Sequence, residues 1–305
     1  MDRLPTTAAK LQFMALILLL TAVLCVSSTF AWFVFSTNPH LTNIKATAAA
    51  NGSLRIALMK DPEETARAVD ERSRINGPGT TGGSTAGDPY TWGNLLDMAE
   101  LLQGGTGDGL WPASFEAEGA VFQRPVYGTD GRVVDTVALQ DPATAPYTEG
   151  REGFAVIGAG EKDYLLRLDF WLRTNVDGAI SLSEGQSRGG GGEPGQGSYL
   201  RCPALADFPP EAIGVVFRIT DEAGGGEVWK QAEQQAGGDT IALTAAPLFD
   251  AQANTSYRVQ AYVYVNGLVV TNQYADKAIE NLELNLQFSH SEIGTAGGVE
   301  PLPAP

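Results

Sequence analysis

The feature that most constrains the fold is a strict alternation of apolar and other side chains over residues 163–174. The apolar series takes every second position and consists of Tyr164, Leu166, Leu168, Phe170 and Leu172. Arg167, Asp169 and Arg173 lie on the opposite face. Because successive side chains of a β-strand point to opposite faces, this pattern predicts a strand with one buried face.

The same alternation recurs along much of the chain. It is clear over residues 256–265, after which the dipeptide Asn266-Gly267 predicts a tight hairpin into residues 268–274. Further strands are predicted at residues 54–58, 132–139, 152–158, 178–183, 212–220, 240–244 and 282–288. About ten short strands separated by turn residues favour a mainly β fold, and within that class a β-sandwich of jelly-roll-like or Ig-like type.

One stretch, at about residues 61–104, is predicted to be a helical insertion. Over residues 92–103 the apolar side chains recur at helical spacing, with Thr91 placed to cap the helix and Gly104 to end it. Residues 62–74 begin with proline and two acids after Asp61, which is typical of the first turn of a surface helix. The loops at 76–88 and 184–198 and the tail at 294–305 contain little apolar surface and are predicted to be loose.

The N-terminus has the pattern of an export signal. Arg3 and Lys10 precede an apolar run at residues 11–26, and small residues follow. Thr29 and Ala31 fit the two small positions of a signal-peptidase site, so cleavage would leave Trp32 first in an ectodomain of residues 32–305. The alternative keeps residues 1–31 as a membrane anchor, since apolar residues continue to position 35. Both alternatives place the rest of the chain outside the cytoplasm.

Charge and composition exclude several classes of function. The net charge of −16 argues against nucleic acid as a partner, because binding to phosphates requires a basic surface. The two histidines, His40 and His290, are far apart in the sequence and lie in no zinc-binding motif. We therefore predict no cofactor, no metal site and no catalytic residues. Cys202 is the single cysteine after the leader, so the ectodomain is expected to fold without an internal disulfide.

Three stretches resemble a known group of exported proteins. The segment STFAWFVF at residues 28–35, followed by the β-like residues 41–48, resembles the signal junction of proteins processed by SipW-type signal peptidases, to which the TasA/camelysin group of Gram-positive matrix-fibre subunits belongs. Residues 110–115, and the pair of segments 262–267 and 285–288, are similar to surface proteins of clostridia-like bacteria that have the same junction.

The resemblance implies a role for the N-terminal strand. In the fibre group the subunits are jelly-roll-like sandwiches, and an N-terminal strand completes the sheet of the next subunit. By that analogy residues 32–50 are the donor segment, with its strand formed by Leu41, Ile44, Ala46 and Ala48. An extended strand suits this role, because its backbone donors and acceptors can extend an open sheet edge.

The sequence thus predicts a non-enzymatic structural protein of the cell surface or extracellular matrix. Its expected partners are copies of itself or other surface proteins, and the membrane if the leader is retained. One alternative is an adhesin or carbohydrate-binding module in which Trp171, on the polar face of its strand, contacts the ligand. A secreted hydrolase is a further alternative and would need a pocket with convergent polar groups.

Overall fold

Two long strands, Lys162–Thr174 and Ser256–Asn266, pair antiparallel at the centre of the largest sheet. Both were predicted from alternation, and their bounds agree closely with the prediction. The apolar face of each is fully buried, as at Leu168 and Val263. Because each strand also pairs along its other edge, these two strands fix the position of most of the remaining sheet.

The structure is a computed structural model, in which placement is described for residues 14–21, 41–50, 53–58, 92–93, 95–98, 102, 109–128, 132–140, 142–148, 153–182, 197–222, 226–270 and 278–292. Residues 14–21 are α-helical and expose apolar side chains such as Leu18. None of the helices within these ranges combines the length and the apolar character needed to cross a membrane. The predicted cleavage residues Thr29, Ala31 and Trp32, the helix at 62–74, the loop at 76–88 and the tail at 294–305 lie outside them, as does most of the loop at 184–198.

Within the described ranges the chain is mainly β. Its strands are β1 (Leu41–Thr42), β2 (Lys45–Ala50), β3 (Leu54–Leu58), β4 (Leu95–Asp97), β5 (Pro112–Glu116), β6 (Val121–Tyr127), β7 (Val133–Ala138), β8 (Phe154–Ala159), β9 (Lys162–Thr174), β10 (Gly178–Leu182), β11 (Tyr199–Arg201), β12 (Ile213–Asp221), β13 (Glu227–Gln231), β14 (Glu233–Gly237), β15 (Thr240–Ala251), β16 (Ser256–Asn266), β17 (Ile279–Glu280) and β18 (Glu283–Glu292). Two short 3₁₀ turns, Pro203–Asp207 and Pro210–Ala212, precede β12.

The strands form two large sheets. Sheet A runs β13-β12-β16, continues from β16 to β9 with β3 and β8 on its far edge, and has β5-β6-β7 attached at the end of β16. Sheet B contains β14, β15, β10, β11, β18, β2 and β4. The inner faces of the two sheets share one hydrophobic core, in which Phe170 and Phe217 of sheet A contact Phe288 of sheet B at ring-centre distances of 5.6 and 6.2 Å.

The outer face of sheet A is covered as well. The strands β5 and β6 and the segment 142–147 pack over β9 and β16, and a second apolar cluster fills this layer. Its aromatic centre consists of Phe115, Phe122, Trp229, Tyr262 and Tyr264. The central strands are therefore buried on both faces, although alternation in the sequence predicted one buried face.

The predicted helix at residues 92–103 is wrong at residues 92–93 and 95–98, which are not helical. Leu95–Asp97 form β4, which pairs antiparallel with β2, and Gly93 exchanges two backbone hydrogen bonds with Ile56. Leu102 alone of this segment is described as helical. Leu96 and Met98, two residues apart, are both buried, so strand alternation was present beneath the helical spacing. The segment forms a strand and not a helix because it pairs with the open edges of β2 and β3, and such tertiary pairing overrides a weak local preference.

The predicted hairpin at Asn266-Gly267 is also wrong as far as it is described. Residues 267–270 form turns, in which the backbone N–H of Val270 donates to Asn266 O at 2.8 Å, and Leu268 is exposed. The end of β16 pairs instead with β5, in parallel, and Gly267 N donates to Ala113 O at 2.7 Å. Residues 271–274, the rest of the predicted return strand, lie outside the described ranges.

Candidate functional site

The N-terminal strand segment, residues 41–50, lies within the chain's own sheets. β1 pairs in parallel with β17, and β2 lies in sheet B between β18, its parallel neighbour, and β4, its antiparallel neighbour. The four predicted donor-strand residues Leu41, Ile44, Ala46 and Ala48 are between 0% and 2% exposed. The segment is therefore part of the core, and its removal would expose the inner face of sheet B.

Hydrogen bonds hold the segment on both edges. Leu41 and Leu110 exchange two backbone hydrogen bonds, at 3.2 and 2.9 Å. Lys45 N donates to Leu282 O at 2.8 Å, and Met98 N donates to Ala46 O at 3.0 Å. The segment is thus hydrogen-bonded like an ordinary strand inside a sheet. We call the space between β18 and β4, which β2 fills, the slot.

The two faces of β2 differ in chemistry. Its inward side chains, Ala46, Ala48 and Ala50, are small and buried. On its outward face the hydroxyl of Thr47 donates to Asn285 Oδ1 at 2.7 Å. The amide of Asn285 is oriented in turn, since its Nδ2 donates to Gly197 O at 2.6 Å. The outward face therefore makes a specific polar contact that the inward alanines cannot make.

The link from β2 to β3, residues 51–53, joins sheet B to sheet A. Ser53 Oγ lies 3.1 Å from His290 Nδ1 and 3.3 Å from Thr174 Oγ1. The other ring nitrogen of His290, Nε2, lies 3.1 Å from Val176 O, which can only accept. Nε2 therefore donates to that carbonyl in this geometry, and the contact to Ser53 fastens the link to the end of β18.

A buried ionic network lies on the outer face of sheet A. Asp169, fully buried, accepts hydrogen bonds from Arg167 Nε at 2.6 Å, Arg258 Nη2 at 3.0 Å and Gln260 Nε2 at 2.9 Å. Arg167, which is 1% exposed, also donates to the carbonyls of Pro142, Ala143 and Ala145. These contacts fasten the segment 142–147 across the sheet. The carboxylate and the buried guanidinium are thus held in internal contacts.

Sequence reasoning did not find this network. Arg167 and Asp169 were assigned to a solvated strand face, because charged residues on one face of an alternating strand are usually exposed. The available signal was the apolar Leu165 and Trp171 on that same face. Four consecutive outward positions that begin and end with large apolar residues indicate a face covered by another part of the chain.

Trp171, the predicted ligand-contact residue, is 7% exposed and packs with Ala57 and Trp92 in a small buried cluster. An aromatic ring must present a free face to stack on a sugar. An exposed aromatic row around Trp171 is therefore absent from the part of the chain that the structure describes.

Cys202 and Tyr199 each donate a hydrogen bond to a distant part of the chain. The Cys202 thiol is buried and donates to Glu280 O at 3.0 Å. Burial and the hydrogen bond to Glu283 raise the pKa of Tyr199 to about 12. Among the described residues, no three His, Cys, Asp or Glu side chains come together in a group that could hold a metal ion.

No protein-family model and no curated protein matches this chain. The resemblance to the TasA/camelysin group therefore stays a prediction from three short stretches of sequence.

Proposed function

We propose that this chain is an exported, non-enzymatic structural protein of the cell surface or extracellular matrix, and that its copies assemble by exchanging the N-terminal strand segment. In this assembly, residues 41–50 of one copy fill the slot between β18 and β4 of the next. The fold proposed for the subunit is a β-sandwich with jelly-roll-like connections, formed by sheets A and B.

The observation that carries the proposal is the way β2 is attached. It is hydrogen-bonded along both edges and buried on its inner face, yet three residues, 51–53, separate it from β3. A strand that is attached in this way can be supplied by its own chain or by an identical chain through the same contacts. Exchange of an identical element between protomers creates an assembly without a new interface.

The predicted leader, residues 1–31, supports export of the chain and determines whether the subunit is released or stays at the membrane. Cleavage after Ala31 would free the end of the strand segment, whereas an uncleaved leader would hold each subunit at the membrane. The acidic net charge of −16 suits a soluble extracellular subunit and argues against nucleic acid as a partner. The proposed partners are copies of the chain and other surface proteins.

The proposal is tested on protein made from the full chain in a Gram-positive host. N-terminal sequencing should give a start at Trp32, and negative-stain electron microscopy of the released protein should show linear fibres. A protein that stays in the cytosol, or released single particles that form no assemblies at any concentration, would overturn the proposal. Released protein that binds a glycan and forms no fibres would instead indicate the adhesin alternative.

A further inference from the structure

The outward face of β2 carries a recognition pattern. In the parallel register with β18, Lys45 lies opposite Glu283, Thr47 opposite Asn285 and Ala49 opposite Gln287. The Lys45–Glu283 pair places opposite charges on neighbouring strands, and Thr47 donates to Asn285 at 2.7 Å. Opposite charges and hydroxyl contacts at facing positions stabilise one register over others.

The inward face of β2 discriminates less well between one register and another. Its residues in β2 are three alanines, so a shift of the strand by two residues places alanine opposite the same core positions over most of the strand. Ile44 is the exception at the N-terminal end. The same shift moves Lys45 opposite Asn285 and Thr47 opposite Gln287. Both matched pairs on the outward face would then be lost together.

Glu283 and Asn285 are held by partners that lie outside β2. Tyr199 Oη donates to Glu283 Oε1 at 2.8 Å, and Arg201 forms an ion pair with the same carboxylate. Asn285 is oriented by its bond to Gly197 O. Since these partners come from β11 and residue 197, they remain in place whichever chain supplies β2.

We infer that Glu283 and Asn285 form a reader on β18 that selects the incoming strand and sets its register through Lys45 and Thr47. The occupant it fits is a strand with small inward residues and an outward Lys-x-Thr, which is the N-terminal strand segment of this chain or of a second copy. The inference rests on the proposed function only for the statement that the strand comes from a second copy.

Charge reversal tests the reader. K45E and E283K are made separately in the full chain and combined in one chain as K45E/E283K. Each single variant places like charges opposite each other and should weaken assembly about fivefold or more, whereas the combined variant should assemble better than E283K, because only the part of the loss that comes from the like charges is restored. E283K should lose more than K45E, because it also breaks the contacts to Tyr199 and Arg201. K230E, with the same change of charge on β13, is the matched control and should leave assembly unchanged.

Co-expression of the two single variants separates the two proposals. If strands are exchanged, the strand of the K45E chain brings its new carboxylate to the new ammonium group in the slot of the E283K chain. The strand of the E283K chain, with Lys45 unchanged, meets the unchanged Glu283 in the slot of the K45E chain. The mixture should therefore form alternating assemblies that neither variant forms alone.

Two other outcomes are decisive. If mixing restores nothing but K45E/E283K unfolds at a higher denaturant midpoint than E283K, the reader stands and strand exchange is overturned. If K45E and E283K affect assembly and stability additively, the reader itself is overturned.

Discussion

Replacement of Asp169 by asparagine should destabilise the protein more than any other isosteric change of a carboxylate among the described residues. Asp169 is 0% exposed and accepts bonds from two arginines and Gln260. Asparagine keeps the shape but removes the negative charge, which leaves the guanidinium of Arg167 buried at 1% exposure without a counter-ion. Breaking a buried ion pair from one side costs about 3–5 kcal/mol.

Urea unfolding followed by tryptophan fluorescence measures this loss. With a slope near the upper end of the range for small proteins, the midpoint should fall by roughly 1–2 M. D177N is the matched control, because Asp177 is exposed and accepts one bond, from Ala253 N at 2.6 Å. The loss of stability in D177N should stay at about 1 kcal/mol, which is the scale of one exposed hydrogen bond.

The reasoning would be refuted if D169N and D177N shifted the midpoint equally. A second variant separates charge from hydrogen bonding. R167M removes the buried cation and leaves the carbonyls of Pro142, Ala143 and Ala145 without this donor. It should therefore also increase proteolysis within residues 142–147, which D169N, with Arg167 still present, should do to a smaller extent.

Three further predictions concern other parts of the described structure. G214A should destabilise the folded protein by about 1–3 kcal/mol, because an added Cβ would overlap the Tyr264 ring. G226A is the control and should be nearly neutral in the same unfolding assay, because the space around its Cβ is open. Equal effects of the two variants would contradict the packing around Gly214. The folded-state pKa of Tyr199 is about 12, against 10.0 for an unperturbed phenol, so the stability contributed by Tyr199 should be complete below pH 10 and be lost as the pH rises from 10 to 12. Y199F should therefore remove one late-ionising phenol from the absorbance titration at alkaline pH. An unchanged titration would contradict this assignment. In a C25S background, Cys202 should not react with a thiol reagent until the protein unfolds, and rapid reaction of the native protein would show that the thiol is not buried.

The mainly β fold could be predicted from the sequence because the strongest alternating segments are also the longest strands. Residues 163–174 and 256–265 predicted β9 and β16, and the segments at 54–58, 178–183 and 212–220 predicted strands within one or two residues of their observed ends. These strands carry enough alternating apolar side chains that tertiary contacts and local pattern agree.

The rest depended on contacts between distant residues. The segment at 95–97 became a strand because β2 offers an open edge, and no local pattern contains that information. The covering of Arg167 and Asp169 depends on residues 142–147, more than twenty positions earlier in the chain. The reader formed by Glu283 and Asn285 could not be foreseen either, since it requires the register of β18 against β2 across more than two hundred residues.

The most direct test of strand exchange is a disulfide between β2 and β18. Thr47 and Asn285 are facing Cα partners, and facing strands lie about 4.8 Å apart, within the range that a disulfide spans. Protein made from the full chain with T47C/N285C should run on a non-reducing gel as a ladder of covalent multimers that reducing agent collapses, and T47C or N285C alone should give no ladder. Quantitative formation of the disulfide in a product that runs only as a monomer would contradict the account.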